Sequence, residues 1–273
     1  MSAARTSAYV IGPEDLNPRW ILLYAVTWLL QCSSAAARYF VLYAIIWVPD
    51  KIEYLALPVK DLALVIATAP LWISLATLVF PWGGRLWEQQ EGARTPSERE
   101  QAVFDFAFAE LTEKDPLPLR SPHRWCVLDE PEPNGCVYAI TLMLTRGLLD
   151  SPFGSAVLGH EMEHLNSGDG RLLAALYRIL CWPRNPSRPA LVPLALACNG
   201  QAAMLPVKAA WSMYFRTREM NADNYVKRLG LGPTFAAYLE TYALEGDRPT
   251  RFKMFGDSSH PWTEHRIENL LAA

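Results

Sequence analysis

Cysteine is sparse in this chain and badly spaced for cross-linking. There are five (Cys32, Cys126, Cys136, Cys181 and Cys198), an odd number with no CxxC pair. They read as free thiols in a reducing compartment, not as a disulfide frame. Charge is sparse too: only 19% of the 273 residues are Asp, Glu, Lys or Arg, which is low for a soluble enzyme. Positive charge is not in excess, since the formal net charge is −3, so nothing points to a nucleic-acid partner. A cleavable signal peptide is a poor reading. The first apolar run starts late, has no basic leader of the usual kind, and is too long for an h-region. Internal repeats and low-complexity tracts are missing as well. Histidine is rarer than any of these absences would require, with five in the whole chain.

What the chain has is apolar mass in long runs. Half of it is hydrophobic, with ten Trp. Trp20 to Val48 carries one charge, Arg38, in 29 residues, and Leu62 to Trp82 carries none in 21. About 20 apolar residues of helix cross a bilayer, so each run is expected to span; the alternative is a pair of buried helices. Trp20, Trp47 and Trp82, with Tyr24 and Tyr43, lie towards the ends, where an interfacial belt belongs. Arg5, Arg19, Arg85, Arg94 and Arg99 flank the pair on one side, against Lys51 and Lys60 in the joining loop. That bias puts both ends of the hairpin in the cytoplasm. The expected organisation is an anchor over residues 1–90, with spans at about 20–48 and 62–82, and a second domain over 91–273. Leu172–Trp182 and Ala190–Trp211 are apolar again, broken by Arg178, Pro193, Asn199, Gln201, Pro206 and Lys208. They read as a helical hairpin inserted at about 171–212 that rests on or dips into the membrane, or makes two full crossings.

The second domain mixes helix and strand, so the expected class is α+β, mostly helical with a small sheet. A helix is expected from Ser97 to Asp115, stopped by Pro116. Arg124–Glu130 reads as a strand, PEPNG as a turn, and Cys136–Thr145 as one further strand with Tyr138, Ile140, Leu142 and Leu144 facing the core. A helix then starts near Ser155, another runs from Arg216 to Gly230, and the last covers Thr263–Leu271.

The chemistry is concentrated in GHEMEHLNSGD, from Gly159 to Asp169. Residues four apart share a helix face, so His160 and His164 point the same way with Glu161 beside the first. Two imidazoles in this HExxH arrangement bind Zn²⁺, and the glutamate can take a proton from coordinated water. A catalytic zinc needs a third protein ligand. Glu219 is the candidate, with Asp223 one turn on as acceptor for a ligand imidazole N–H; the alternative for this acidic pair is a solvated helix face. Glu163 is expected to point away. His260 precedes Pro261 and so sits in extended backbone, where a loop or capping role is the alternative to a catalytic one.

GHEMEHLNSGD, REMNAD and HPWTEHRI, in that order, resemble the three signatures of the HtpX and CAAX-prenyl-endopeptidase family of integral-membrane zinc metalloproteases. PNG followed by LTRGLLD extends the likeness, which covers about residues 97–273, and the two N-terminal runs resemble the HtpX layout in particular. The departures are Gly135 where the family has Ala, Trp262 in the HP motif, and a mid-domain hairpin less apolar than a clean pair of spans. The resemblance implies a zincin domain on a transmembrane hairpin, acting as a zinc metalloendopeptidase on membrane or membrane-proximal proteins. The setting implied is the bacterial inner (plasma) membrane, with catalysis on the cytoplasmic side. It implies one Zn²⁺ held by His160, His164 and Glu219, Glu161 as general base, Asp223 orienting a ligand imidazole, and Arg266 supporting the His260 segment beside the metal. A substrate peptide would lie along the strand, contacting Asn134, Gly135, Cys136 and Val137. The rivals are a sensor-transducer protease, which lacks the HP tail seen here, and a silent membrane scaffold, against which the intact Glu161 counts.

Overall fold

The computed structural model describes residues 18–47, 59–79, 92–115, 122, 124–180, 201–242 and 261–272. His260, His123 and residues 181–200, where the sequence predicts a turn, lie outside the described residues. Two helices come first, α1 (Pro18–Trp47) and α2 (Val59–Val79), followed by α3 (Glu98–Lys114). Strands β1 (Arg124–Leu128), β2 (Gly135–Tyr138) and β3 (Thr141–Thr145) form one sheet in the order β1-β3-β2. The rest is helical: α4 (Arg146–Leu149), α5 (Gly154–Asn166), α6 (Asp169–Leu180), α7 (Gln201–Arg228), α8 (Gly232–Tyr242) and α9 (Thr263–Leu271). The class is therefore mostly helical with a small sheet, as expected from the sequence.

Helix α3 starts where its sequence says it should. Ser97 and Glu100 form a reciprocal capping box, and the helix stops at Asp115. The strand expected over Cys136–Thr145 is instead two strands. β3 is the centre of the sheet, parallel to β1 and antiparallel to β2, with Tyr138 opposite Thr141 across a two-residue loop. No Gly, Pro, Asn or Asp marks that loop. Ala139 takes the left-handed conformation, φ 56°, which costs a residue with a Cβ. Its N–H donates to the Gly170 carbonyl at 3.0 Å, a contact from α6 that holds the turn. Of the expected core set, Tyr138, Leu142 and Leu144 are buried and Ile140 is not, because it falls in the loop; β3 does not alternate, since all five of its residues are buried.

The main core lies between α3, α5, α7, α8, α9 and the sheet, around Leu111, Leu142, Leu158, Met162, Val226 and Phe235. A second cluster joins α1 to α6 and α7 through Tyr24, Leu172, Leu176 and Trp211. Polar groups are buried in that seam. The Tyr24 hydroxyl bonds Ser74 at 2.7 Å, Ser74 donates to the Ala175 carbonyl at 2.7 Å, and Trp211 Nε1–H donates to Thr27 at 2.8 Å. The outer face is the reverse: Leu22, Leu29, Phe40, Val65 and Trp72 are 67%, 64%, 68%, 63% and 58% exposed. Polar inside and apolar outside inverts the pattern of a water-facing helix pair. Among the described residues, no helix is long and apolar enough to cross a membrane. The spans expected at about 20–48 and 62–82 run through α1 and α2 and partly beyond the described residues.

Candidate metal centre

Helix α5 carries His160, Glu161 and His164, and α7 crosses it with Glu219 and Asp223, so residues about 60 positions apart in sequence converge. One donor atom from each of His160, His164 and Glu219 lies within 4.8 Å of the others. His160 Nε2 and His164 Nε2 are 3.2 Å apart. His164 Nε2 is 3.2 Å from Glu219 Oε1, and His160 Nε2 is 3.4 Å from Glu219 Oε2. The far nitrogens are also engaged. His160 Nδ1 faces Asp223 Oδ1 at 3.1 Å, and His164 Nδ1 faces Asp169 Oδ2 at 3.0 Å. A carboxylate only accepts, so an imidazole backed in this way keeps its proton on Nδ1 and, when neutral, turns an Nε2 lone pair inward. Two lone pairs and a carboxylate then point at one another with no hydrogen to share between the nitrogens, an arrangement that a cation resolves. Ligand atoms about 2.0–2.1 Å from a shared tetrahedral zinc are about 3.3 Å apart, close to the three separations here. The donor set fits Zn²⁺.

Burial lowers the pKa of His160, but Asp223 and Glu219 more than reverse this, and its pKa is raised. Burial also opposes the proton on His164, yet Asp169 and Glu219 raise its pKa well above the ordinary value. Asp223 is fully buried and pays for it, but the Arg266 guanidinium holds its pKa below the usual carboxylate value. That pair is a two-pronged fork, with Arg266 Nε and Nη2 each 2.8 Å from an Asp223 oxygen. Arg266 Nη1 also reaches Glu219 Oε2 at 3.4 Å. Phe235 lies against the His160 ring, centroids 4.9 Å apart, and closes the apolar side.

Glu161 is buried at the edge of this cluster, facing the start of β2. A Cβ on Gly135 would lie 3.1 Å from Glu161 Cγ and 3.3 Å from Leu144 and Val157. The fit is tight, so a side chain at this position would require Glu161 to give way by a few tenths of an ångström. The Thr145 N–H donates to the Asn134 carbonyl at 3.0 Å. Alternation along an antiparallel pair then makes Asn134, Cys136 and Tyr138 the residues that bond β3, and turns the backbone of Gly135 and Val137 outward. The Gly135 N–H is taken by its neighbour's side chain, Asn134 Oδ1, at 2.9 Å. Among the described residues no strand lies on that edge, whereas the β1 edge is bridged by Arg94 bonding Val127 in both directions at 2.9 Å.

The sequence-predicted residues His160, Glu161, His164, Glu219, Asp223 and Arg266 are together; His260 lies outside the described residues. Glu163 faces Arg218 at 3.4 Å and Ser167 at 3.1 Å, away from the donor cluster, and His265 is exposed on α9. Sequence reasoning missed Asp169 and Arg218, whose bonds run behind His164. Asp169 follows His164 by five residues, a spacing with no helical meaning, and only the Gly168 stop before it was a legible signal.

No protein-family model matches the chain, and no curated protein matches it. Among solved structures it is similar to that of S. mikatae Ste24p, at 15% identity and a TM-score of 0.46, over 94% of this chain and 68% of that one.

Proposed function

We propose that this chain is a membrane-bound zinc metalloendopeptidase that hydrolyses peptide bonds of membrane or membrane-proximal proteins. The observation that carries this reading is the convergence of both Nε2 lone pairs and Glu219 beside a buried Glu161. His160, His164 and Glu219 would hold a zinc ion, which would supply Lewis acidity at the site when bound. Glu161 takes the proton of the attacking water and returns it to the leaving amine. Asp223 and Arg266 keep His160 in the tautomer that ligates. The outward backbone of Gly135 and Val137 pairs with an extended peptide, whose scissile bond is thereby brought to Glu161. His260 is assigned to the oxyanion, so His260→Ala is expected to lower kcat by roughly 10²–10³-fold and leave zinc in place.

The membrane part rests on the uncharged run Leu62–Trp82 and on the apolar outer face of α1 and α2. The bacterial inner membrane is the setting that the resemblance implies, and the flanking arginines favour its cytoplasmic side for the catalytic domain.

The deciding experiment compares wild type with Glu161→Gln in detergent, measuring bound zinc and casein hydrolysis. The variant keeps size and hydrogen bonding but cannot accept a proton, so zinc is expected to stay while hydrolysis falls by several orders of magnitude. Appreciable proteolysis by the purified variant would sink the mechanism. Zinc absent from the wild type would sink the enzyme class.

A further inference from the structure

We propose that Arg218 is a positioning residue of the metal centre, acting through Asp169 on His164; this deepens the zinc-site reading above and rests on it. Helix α5 ends at Asn166, and Gly168 at φ +72° turns the chain so that Asp169 opens α6 directly behind the His164 ring. Asp169 Oδ2 then meets His164 Nδ1 at 3.0 Å. The same carboxylate is gripped from α7. Arg218 Nε donates to Asp169 Oδ2 at 2.9 Å and Oδ1 at 3.1 Å, and Nη2 donates to Ser167 Oγ and to Glu163 Oε1 at 3.4 Å. Asp169 is buried, 5% exposed, and the Arg218 side chain is partly buried, 14% exposed.

The arrangement repeats that of the other ligand. His160 is backed by Asp223 and Arg266; His164 is backed by Asp169 and Arg218. A planar guanidinium fixes the plane of a carboxylate, and the carboxylate fixes the rotation and tautomer of the ring. Arg218 also precedes Glu219 in sequence. Successive residues on a helix are about 100° apart, so α7 sends one side chain to the donor cluster and the next to the carboxylate behind it. A shift of α7 against α5 would therefore disturb a ligand and the support of another ligand together.

A bare structural ion pair is the competing role, and metal affinity separates the two. The probe is a Zn²⁺ titration, against a competing chelating dye, of the full chain stripped of metal in detergent. Arg218→Ala and Asp169→Ala are each expected to weaken zinc binding by ~10–100-fold, as for loss of a partner behind a ligand. Because Arg218 acts through Asp169, the double variant should bind no more weakly than Asp169→Ala alone. Arg218→Lys should recover part of the loss, since an ammonium can replace the single Nε contact to the carboxylate but not the Nη2 contacts to Ser167 and Glu163. Asp169→Ala leaves Arg218 its bonds to Glu163 and Ser167, so no charge is orphaned. If Arg218→Ala fails to fold, Arg218→Lys carries the test and must bind zinc more weakly than the parent. Parent-like zinc affinity in the variants, with only the melting temperature lowered, overturns the proposal. Additive losses in the double variant overturn it as well. A parent chain that takes up no zinc overturns both this inference and the zinc-site reading.

Discussion

The spacing between a backbone and one carboxylate sets how much change the centre tolerates. Gly135→Ala would place a methyl group 3.1 Å from Glu161 Cγ, so the side chain must give by a few tenths of an ångström. Misplacement of a reacting group by about 1 Å costs about 10²-fold in rate. A smaller displacement is expected to lower kcat up to about 10-fold with zinc content unchanged; an unaltered kcat would mean that Glu161 moves without consequence. The ligands make a second residue-level prediction. The pKa values of His160 and His164 are raised above the ordinary 6.5. A raised folded-state pKa adds stability that is fully present below the unfolded value and lost as pH rises through the folded one. Metal-free protein should therefore lose melting temperature as pH climbs above about 6.5. Zinc needs deprotonated rings, so its affinity should rise over the same range. Melting curves with and without chelator measure both, and a metal-free melting temperature that rises with pH would contradict the assignment.

Elements add what single residues cannot. On β2 the alternation of bonds divides neighbours into two groups with different duties. Val137→Pro removes an outward N–H and spares the ladder to β3, a position where an edge strand accepts proline. Cys136→Pro removes a ladder bond. Both cost stability, the first because the Val137 side chain is in the core, but only the first removes an outward N–H and is expected to raise KM for peptides. A parent-like KM for Val137→Pro would refute the register. Between α1, α2 and α6, Ser74 accepts the Tyr24 contact and donates to Ala175. Ser74→Ala leaves a buried hydroxyl and a carbonyl without that partner, at a cost of about 1–3 kcal/mol. Trp211→Phe leaves Thr27 still bonded to the Leu23 carbonyl and should cost less, about 0.5–1.5 kcal/mol. Denaturant unfolding in a single detergent ranks the two.

At the scale of the whole molecule the metal cluster constrains topology. His164 on α5 and Glu219 on α7 approach to 3.2 Å, so residues 90–170 and 215–273 must share one side of any membrane the chain enters. On the zinc-site reading, the segment between them is expected to cross an even number of times, zero or two. Single cysteines at Glu113 and Glu264, both exposed, are expected to react with an impermeant thiol reagent from one side only. Labelling from opposite sides would be incompatible with a shared metal.

The helices of this protein were legible in its sequence wherever a local signal wrote their ends: Ser97 with Glu100, the Thr263–Leu271 pattern, and Gly230 past α7. His160, Glu161 and His164 were legible because helical spacing alone places them on one face, and Glu219 and Asp223 by the same rule on a second helix. The split of β2 from β3 was not. Its turn contains Ala139 and Ile140, and what holds Ala139 at positive φ is a bond from Gly170, which belongs to another element. Asp169 and Arg218 were hidden for a related reason. Periodicity states which residues share a face within an element, but it carries no information on what a turn brings behind that face or what a second helix sends to meet it. The sequence by itself determined the donor types, their helices and Asp223 as an acceptor; only the tertiary packing of α5, α6, α7 and α9 decided that each of the two histidines has a carboxylate and a guanidinium behind it.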